Sequence, residues 1–294
     1  QRPLALTYTE TFDTLTTGLW TNQTTLTGWY VAVGGAPVAA STANLLDDGS
    51  TDPGSGNSAF YSYGDMPYVT GPPPPDSSQD RALGSIARGG DVAFGVVLDN
   101  AGGTGNGATR MVVEYTGEQW HNNDALINFP IGAGRFYDGL ANRGQSGQSA
   151  AQRLVFEYRV YDASAAQSFA AADMGQALGG LWTPVEPLDF IAPKMGETPN
   201  TTGALDGNLG PNQFKRTFMI DIPALAIDDQ VALRWYDASD TESQGLAIDD
   251  LTVDFSTPTT RYVSNASDST CSGNGIPGTT CFVNVNDATN TNGL

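Results

Sequence analysis

Short stretches in which apolar and polar residues alternate recur along the middle of the chain. Alternation with period two is typical of β-strands that bury one face. The segments that begin at Val92, Met111, Leu154, Phe218 and Val231 follow this pattern, and turns rich in Gly, Asn and Asp separate them. The pattern predicts an all-β protein, an antiparallel jelly-roll β-sandwich.

One predicted strand, Gly245–Phe255, changes its parity part-way along. The apolar residues before position 249 point to one face, whereas those from Leu251 onward continue from the opposite parity. A single extra residue in a strand produces such a change, so we predict a β-bulge at Asp249–Asp250. Two adjacent carboxylates at a kink require a hard cation, backbone N–H donors or solvent. We take this stretch as the closing strand of the sandwich.

The composition supports one large β domain followed by a short extension. The 294 residues include 39% hydrophobic residues, 35 Gly and 17 Pro, which provides a core and many turns. The amino-acid composition changes after the closing strand, so we predict a sandwich over residues 1–256 and a C-terminal extension over 257–294. An Ala-rich stretch, 163–180, is predicted to hold a short helix in an insertion on the rim. Glu157 and Arg159 are predicted to face outward from their strand.

The extension contains both cysteines, Cys271 and Cys281. A local disulfide that closes a Gly/Pro-containing loop implies an oxidising compartment; two free thiols are the alternative. The alternation from Phe282 predicts a terminal strand that adds to a sheet of this chain or of a neighbouring copy. Asn22, Asn200 and Asn265 lie in Asn-x-Ser/Thr triplets, which makes them candidate glycosylation sites. Together these features indicate an extracellular or cell-surface protein.

The charge excludes one class of partner. A net charge of −19 repels phosphate backbones, so we predict no nucleic-acid binding. No run approaches the roughly 18 apolar residues of a membrane helix, so we predict no membrane insertion. The acidity fits solubility alone, or cation binding at a cell surface.

Motifs for catalysis are missing from the sequence. A Ser-His-Asp triad would have to use His121, the only histidine, and no Gly-x-Ser-x-Gly elbow occurs. One histidine and two neighbouring cysteines do not form a familiar zinc site. We therefore predict that the chain is not an enzyme. A glycoside-active domain is the less favoured alternative, since glycosidases need only two carboxylates at a suitable separation.

The acidic residues favour a structural calcium ion, which prefers carboxylate and carbonyl oxygens. Our candidate ligands are Asp249 and Asp250, with Glu10 and Asp13 if the two ends of the domain meet in one sheet. The loop 47–52 and the turn at Asp206 are weaker candidates. For every cluster, solvated or turn-capping carboxylates are the alternative.

Four segments together resemble a known group of domains. They are Glu10-Thr-Phe-Asp13, Gly28-Trp-Tyr-Val31, Asn57-Ser-Ala-Phe-Tyr-Ser-Tyr-Gly64 and the closing Leu246-Ala-Ile-Asp-Asp-Leu-Thr-Val253. The chain resembles bacterial extracellular jelly-roll modules of the MAM and concanavalin-like type, over residues 8–255. It lacks the disulfide cysteines that MAM domains carry across the sandwich. The resemblance implies a calcium ion held by an early acidic residue and a late Asp, here Glu10 or Asp13 with Asp249 or Asp250.

These observations favour a non-catalytic structural or adhesive surface protein. Self-assembly into a fibre or layer through the terminal strand is its extreme form, with other copies of the chain as partners. The alternative is a carbohydrate-binding module in a larger secreted protein. In that case Trp120 beside Tyr115 is the candidate platform for stacking on glycans, although packing in the core explains most single tryptophans.

Overall fold

A computed structural model describes residues 2–15, 18–38, 42–54, 56–64, 80–122, 152–194, 203–239, 243–257, 262–265 and 281–284. For 42–45, 262–265 and 281–284 only the backbone is described. The chain divides into two compact units, Gln1–Ser256 and Thr257–Leu294.

The first unit consists mainly of strands. In chain order they are β1 (Arg2–Pro3), β2 (Thr7–Glu10), β3 (Gly18–Trp20), β4 (Trp29–Val33), β5 (Ala36–Pro37), β6 (Thr42–Asp47), β7 (Ser58–Gly64), β8 (Arg81–Ala87), β9 (Val92–Asp99), β10 (Arg110–Asn122), β11 (Arg153–Tyr161), β12 (Thr183–Pro184), β13 (Phe190–Ile191), β14 (Gly203–Ala204), β15 (Gln213–Asp221), β16 (Gln230–Asp237) and β17 (Gly245–Ser256). One short α-helix, α1 (Ala171–Met174), and 3-10 turns at Ala163–Ala165, Glu186–Leu188 and Gly210–Asn212 complete the described elements. Among the residues that the structure describes, no helix has the length and apolar character to cross a membrane.

The strands form two sheets. Sheet 1 has the order β12-β11-β16-β9-β4-β5, with β1 on β9 and β13 on β11. Sheet 2 has the order β14-β10-β17-β8-β7-β6-β3, with β15 on β10 and β2 on β17. The prediction of a β-sandwich is confirmed, and most strand pairs are antiparallel as predicted, but β1–β9 and β6–β7 pair in parallel.

The core between the sheets is built around Trp235, which is fully buried. Its ring is stacked 6.1 Å from Trp29 and meets Phe156 and Tyr115 edge-on at 5.2 and 5.3 Å. Such aromatic contacts stabilise a core beyond the area that they bury. Most of the alternating residues of the predicted strands, and those of β17 on both sides of its bulge, lie in this core. Phe218 does not, because it is 41% exposed.

The insertion after β11 covers the outer face of sheet 1, so its predicted place on the rim is wrong. Phe169, Met174 and Trp182 pack there against outward residues of the sheet. Glu157 does point away from the core, as predicted, but it lies fully buried beneath the insertion and pairs with the buried Arg234. The predicted short helix is confirmed as α1.

The second unit contains two described strands, β18 (Tyr262–Asn265) and β19 (Cys281–Asn284). They pair with each other in an antiparallel two-stranded sheet. The predicted terminal strand therefore has a partner within its own unit. Cys271 lies outside the described residues, and the disulfide stays a prediction.

Candidate functional site

The predicted bulge in β17 is confirmed, and it organises the acidic residues. On β10, Glu114 pairs with Thr252 and Thr116 pairs with Asp249, so two residues of β17 face one residue of β10. Asp250 adopts a left-handed φ of 50°, a conformation that aspartate tolerates better than most residues. The bulge therefore separates the directions of the two carboxylates: Asp249 is buried and Asp250 is exposed.

Asp249 is a buried carboxyl group that lacks part of the hydrogen bonding needed to offset the cost of removing it from water. It is 3% exposed, and its Oδ1 has no hydrogen-bond partner within the described part of the chain. Burial, followed by the charge of Glu118, raises its pKa to about 10, although the backbone N–H of Asp250 acts in the opposite direction. A hydrogen bond with the Asp80 carboxyl also raises this pKa. Without a cation the side chain is therefore protonated at neutral pH.

Glu118 lies on the same outer face of sheet 2, because its partner in β17 is Ala247, two residues from Asp249. It is 2% exposed, and burial raises its pKa to about 8, whereas the hydrogen bond from Trp120 Nε1 at 2.8 Å lowers it. Asp250, although more exposed, also has a raised pKa, through burial and then the charges of Asp80 and Asp13. The charges of neighbouring carboxyl groups therefore contribute to the raised pKa values of Asp249, Glu118 and Asp250.

The structure brings three of the four predicted calcium ligands to this cluster. Asp13 accepts hydrogen bonds from Thr11 Oγ1 at 2.8 Å and from the Arg81 N–H at 3.3 Å. Glu10 is separated from the cluster, because it pairs across from the core residue Leu251 and so lies on the opposite face of sheet 2. Its carboxylate contacts Arg2 instead, at 3.4 Å.

Asp80 and Glu118 belong to the cluster, and the sequence analysis missed both. Only the register of β17 with β8 and β10 brings them near Asp249. Within the described ranges, no group of three or more Asp, Glu, His or Cys residues is arranged to hold a metal ion. The oxygen donors and the unpartnered Asp249 Oδ1 match the ligand chemistry of calcium.

The prediction that Trp120 and Tyr115 form an exposed platform for sugar binding is wrong, because both rings are buried. Trp120 is 1% exposed: its ring stacks on Tyr63 at 5.7 Å and is covered by Gly207, where a Cβ atom would approach the ring to 2.3 Å. Tyr115 lies in the core, and its hydroxyl donates to the Leu188 carbonyl. Tyr115 and Trp120 are five residues apart on β10, an odd separation that puts them on opposite faces of the strand, and they contribute to two different layers.

His121 is also enclosed. It is 6% exposed, and its Nδ1 lies 2.6 Å from the Gly49 carbonyl oxygen. The loop that carries Gly49 covers this end of β10. A general base needs access to substrate, which His121 does not have here.

The remaining acidic candidates cap turns. In the loop after β6, Asp48 and Asp52 accept from backbone N–H groups two residues further on, and Asp52 also pairs with Arg88. Asp47 accepts from the Thr51 N–H at 3.3 Å. Asp206 accepts from the Asn208 N–H at 3.0 Å. The hydrogen bonds of Asp48, Asp52 and Asp206 are typical of Asx turns, and together with the Asp47 bond they account for these residues without a metal ion.

A solvent-open cavity of about 400 Å³ lies beside β2. Its walls present hydroxyl groups together with one acid and one base. The lining residues are Arg2, Thr9, Glu10, Thr11, Thr14, Thr25, Leu26 and Thr27. Groups of this kind form hydrogen bonds with polyhydroxylated ligands.

The candidate glycosylation sites differ in what the structure describes. The Asn22 Nδ2 donates to the Val31 carbonyl at 3.2 Å, and its Oδ1 accepts from Val31 N–H and Trp20 Nε1. This asparagine therefore joins two segments of backbone, and a glycan on Nδ2 would displace that contact. Asn200 lies outside the described residues, and the side chain of Asn265 is not described.

Comparisons with known proteins show low similarity. No protein-family model and no curated protein matches the sequence. Among solved structures, the K2 cleaved adhesin domain of Lys-gingipain is 16% identical, with a TM-score of 0.35 over 85% of this chain and 97% of that one. The CBM22-1 xylan-binding domain of Paenibacillus barcinonensis Xyn10C is 7% identical, with a TM-score of 0.31 over 87% and 96%. The enzymatically active domain of bacteriophage CBA120 tailspike protein 4 is 9% identical, with a TM-score of 0.27 over 71% and 21%. TM-scores of this size do not establish a shared fold, so the fold assignment rests on the two sheets themselves.

Proposed function

We propose that this chain is a non-catalytic, extracellular β-sandwich module with a structural or adhesive role. The observation that carries the proposal is the burial of its reactive groups. His121, Glu118 and Asp249 are 6%, 2% and 3% exposed. A substrate would have to reach these groups through the covering loops. The net charge of −19 supports a solvated, surface-facing protein rather than one that binds nucleic acid.

The proposal includes a calcium ion at the β17 bulge. Asp249, Asp80 and Asp250 would be its main ligands, with Asp13 nearby. The support is the unpartnered, buried Asp249 Oδ1 and the nearby carboxyl groups whose charges raise the pKa of Asp249 and Asp250. Such an ion would fasten the closing strand to the start of β8 and to the segment after β2.

Polysaccharide hydrolysis tests the non-catalytic part of this proposal. We expect no release of reducing ends when the purified chain is incubated with a panel of soluble polysaccharides. Release that disappears in Glu118→Gln or Asp249→Asn would contradict the proposal, because these buried acids have the raised pKa values of candidate proton donors.

Carbohydrate binding is the second candidate function, and the cavity beside β2 favours it. Its five threonines supply hydroxyl donors and acceptors, while Glu10 and Arg2 supply a charged acceptor and donor. The platform predicted at Trp120 does not contribute, because that ring is buried.

A blocking substitution tests this second function. Thr14 is exposed on the cavity wall, and Thr14→Arg places a long side chain across the opening. If the cavity binds glycans, a glycan array will show signals that this variant reduces about tenfold or more, as expected for the loss of one or two hydrogen bonds. The matched control, Thr104→Arg, lies in an exposed loop away from the cavity and should leave the signals unchanged. Signals that survive Thr14→Arg would exclude this cavity.

A further inference from the structure

The strand β15 forms an edge of sheet 2. It pairs with β10 along nine consecutive residues, from Gln213 to Asp221. The same residues of β10 pair with β17 on their other side, so β15 lies outside both. No strand in the described part of the chain pairs with the second edge of β15. A long edge strand with free backbone N–H and C=O groups is a template for another strand.

The exposed side chains of β15 are unusual for an edge. Phe218 is 41% exposed and Met219 is 50% exposed, on opposite faces of the strand. Arg216 stacks over Phe214 at 4.5 Å, and its Nε is buried without a hydrogen-bond partner within the described ranges. Natural edges are normally protected by bulges, prolines or charges that oppose pairing. Here the apolar residues flank a cation that has no carboxylate partner among the residues that the structure describes.

The sequence of β15 is complementary to itself in the antiparallel direction. When two copies pair about a two-fold axis at Thr217, each of the nine residues lies opposite a residue of the second copy, and the two side chains of every such pair point to the same face of the sheet. Phe214 then lies opposite Ile220, Lys215 opposite Met219, Arg216 opposite Phe218, and Gln213 opposite Asp221. No like charges lie directly opposite each other, although the two copies of Arg216 are diagonal neighbours, and each Arg216 meets an exposed aromatic ring, a favourable cation–π pair. Lys215 also lies diagonal to Asp221 of the second copy.

We propose that two copies of this chain associate through antiparallel pairing of their β15 strands, centred on Thr217. This pairing joins the two copies of sheet 2 into one continuous sheet. The interface is isologous, so it closes as a dimer and does not extend into a filament. It is also distinct from assembly through the C-terminal extension. Since each copy carries a charge of −19, long-range repulsion opposes the dimer, and added salt should strengthen it.

Light scattering coupled to size-exclusion chromatography tests the proposal on the full chain. We expect a concentration-dependent mass of two chains, with a larger dimer fraction at high than at low sodium chloride. Phe218→Lys places a like charge opposite Arg216 twice in each dimer and should raise the dissociation constant at least about tenfold. The matched control, Leu181→Lys, changes a residue that is 61% exposed on the insertion and should leave the dimer intact. Equal melting temperatures of the two variants will show that both fold.

A cysteine substitution tests the register. Thr217→Cys places two thiols opposite each other across the two-fold axis, so mild oxidation should give a covalent dimer on a non-reducing gel. Gln213→Cys places its thiol opposite Asp221 of the second copy. It should therefore give no more covalent dimer than the parent chain, which has only its two native cysteines. A strictly monomeric protein, a dimer that survives Phe218→Lys, or a dimer that Thr217→Cys does not cross-link would each overturn the proposed pairing.

Discussion

Replacing Arg234 by Met should lower the free energy of unfolding by about 3–5 kcal/mol, the range for breaking a buried ion pair. Arg234 and Glu157 are both fully buried, and the guanidinium Nε lies 2.9 Å from Glu157 Oε2. Removal of the cation leaves the Glu157 carboxylate buried without its counter-charge. This is the largest single-residue effect on stability that we expect.

The same guanidinium fastens the insertion to sheet 1. It donates to the carbonyls of Met174 and Gln176 at 2.9 and 2.7 Å, and it lies 4.2 Å from the ring centre of Trp182. Arg234→Met therefore also frees the carbonyls of α1 and the segment after it. We expect the insertion to become accessible to proteases before the sandwich unfolds.

Urea unfolding followed by circular dichroism measures this effect. Arg159→Met is a matched control on the same face of sheet 1, because the only contacts described for Arg159 are with Tyr161, whose ring lies at 4.2 Å and whose hydroxyl shares a hydrogen bond with it. It should cost no more than about 1 kcal/mol. Adding Glu157→Leu to Arg234→Met should recover part of the loss, since no charge then remains buried. Equal losses in the two single arginine variants would contradict the role assigned to Arg234.

The second large effect concerns Asp249 and pH. In the presence of a chelator, the melting temperature should fall as the pH rises from 5 to 9. The pKa of Asp249 is raised to about 10 in the folded protein, above its ordinary value of 3.8. Between these values the folded state binds more protons than the unfolded state, so stability decreases with increasing pH. Glu118, with its pKa raised to about 8, contributes in the same direction.

Asp249→Asn should raise the melting temperature at pH 8 under these conditions and reduce its dependence on pH, because the amide, unlike the carboxylate, does not have to take up a proton on folding. Adding Glu118→Gln should flatten the profile further. Asp254→Asn is the control: Asp254 is exposed on the same strand and should leave the profile unchanged. A wild-type melting temperature that rises between pH 5 and 9 in chelator would show that Asp249 is compensated by a group that we have not identified.

The local pattern of the sequence was sufficient to predict the strands with clear alternation and the bulge. The parity change at Asp249–Asp250 is a property of consecutive residues, and it has the same meaning in any sheet. The partners of Asp249 depend instead on register. Asp80 and Glu118 reach it only because β8 and β10 flank β17, and nothing near either residue in sequence indicates this.

The burial of Trp120 and Glu157 has one physical cause. Both side chains point away from the central core, as predicted for Glu157, yet neither reaches solvent. Each is covered by a distant segment: the turn at Gly207 lies over Trp120, and the insertion lies over Glu157. Alternation shows which face of a sheet a residue occupies, but it does not show what covers the outer face. Glu10 was misplaced for a related reason, because its own alternation puts it on the side of Leu251 rather than that of Asp249.

Calcium titration of the wild-type chain and of Asp249→Asn, followed by thermal unfolding at pH 8, tests the central claim most directly. At a calcium concentration one hundred times the dissociation constant, binding to the folded state adds about 2.7 kcal/mol. For a domain of this size that corresponds to a rise of roughly 5–10 °C in melting temperature. We predict this rise for the wild type, its reversal by chelator, and little change for Asp249→Asn. A wild-type melting temperature that does not respond to calcium or chelator would contradict the cation at the β17 bulge.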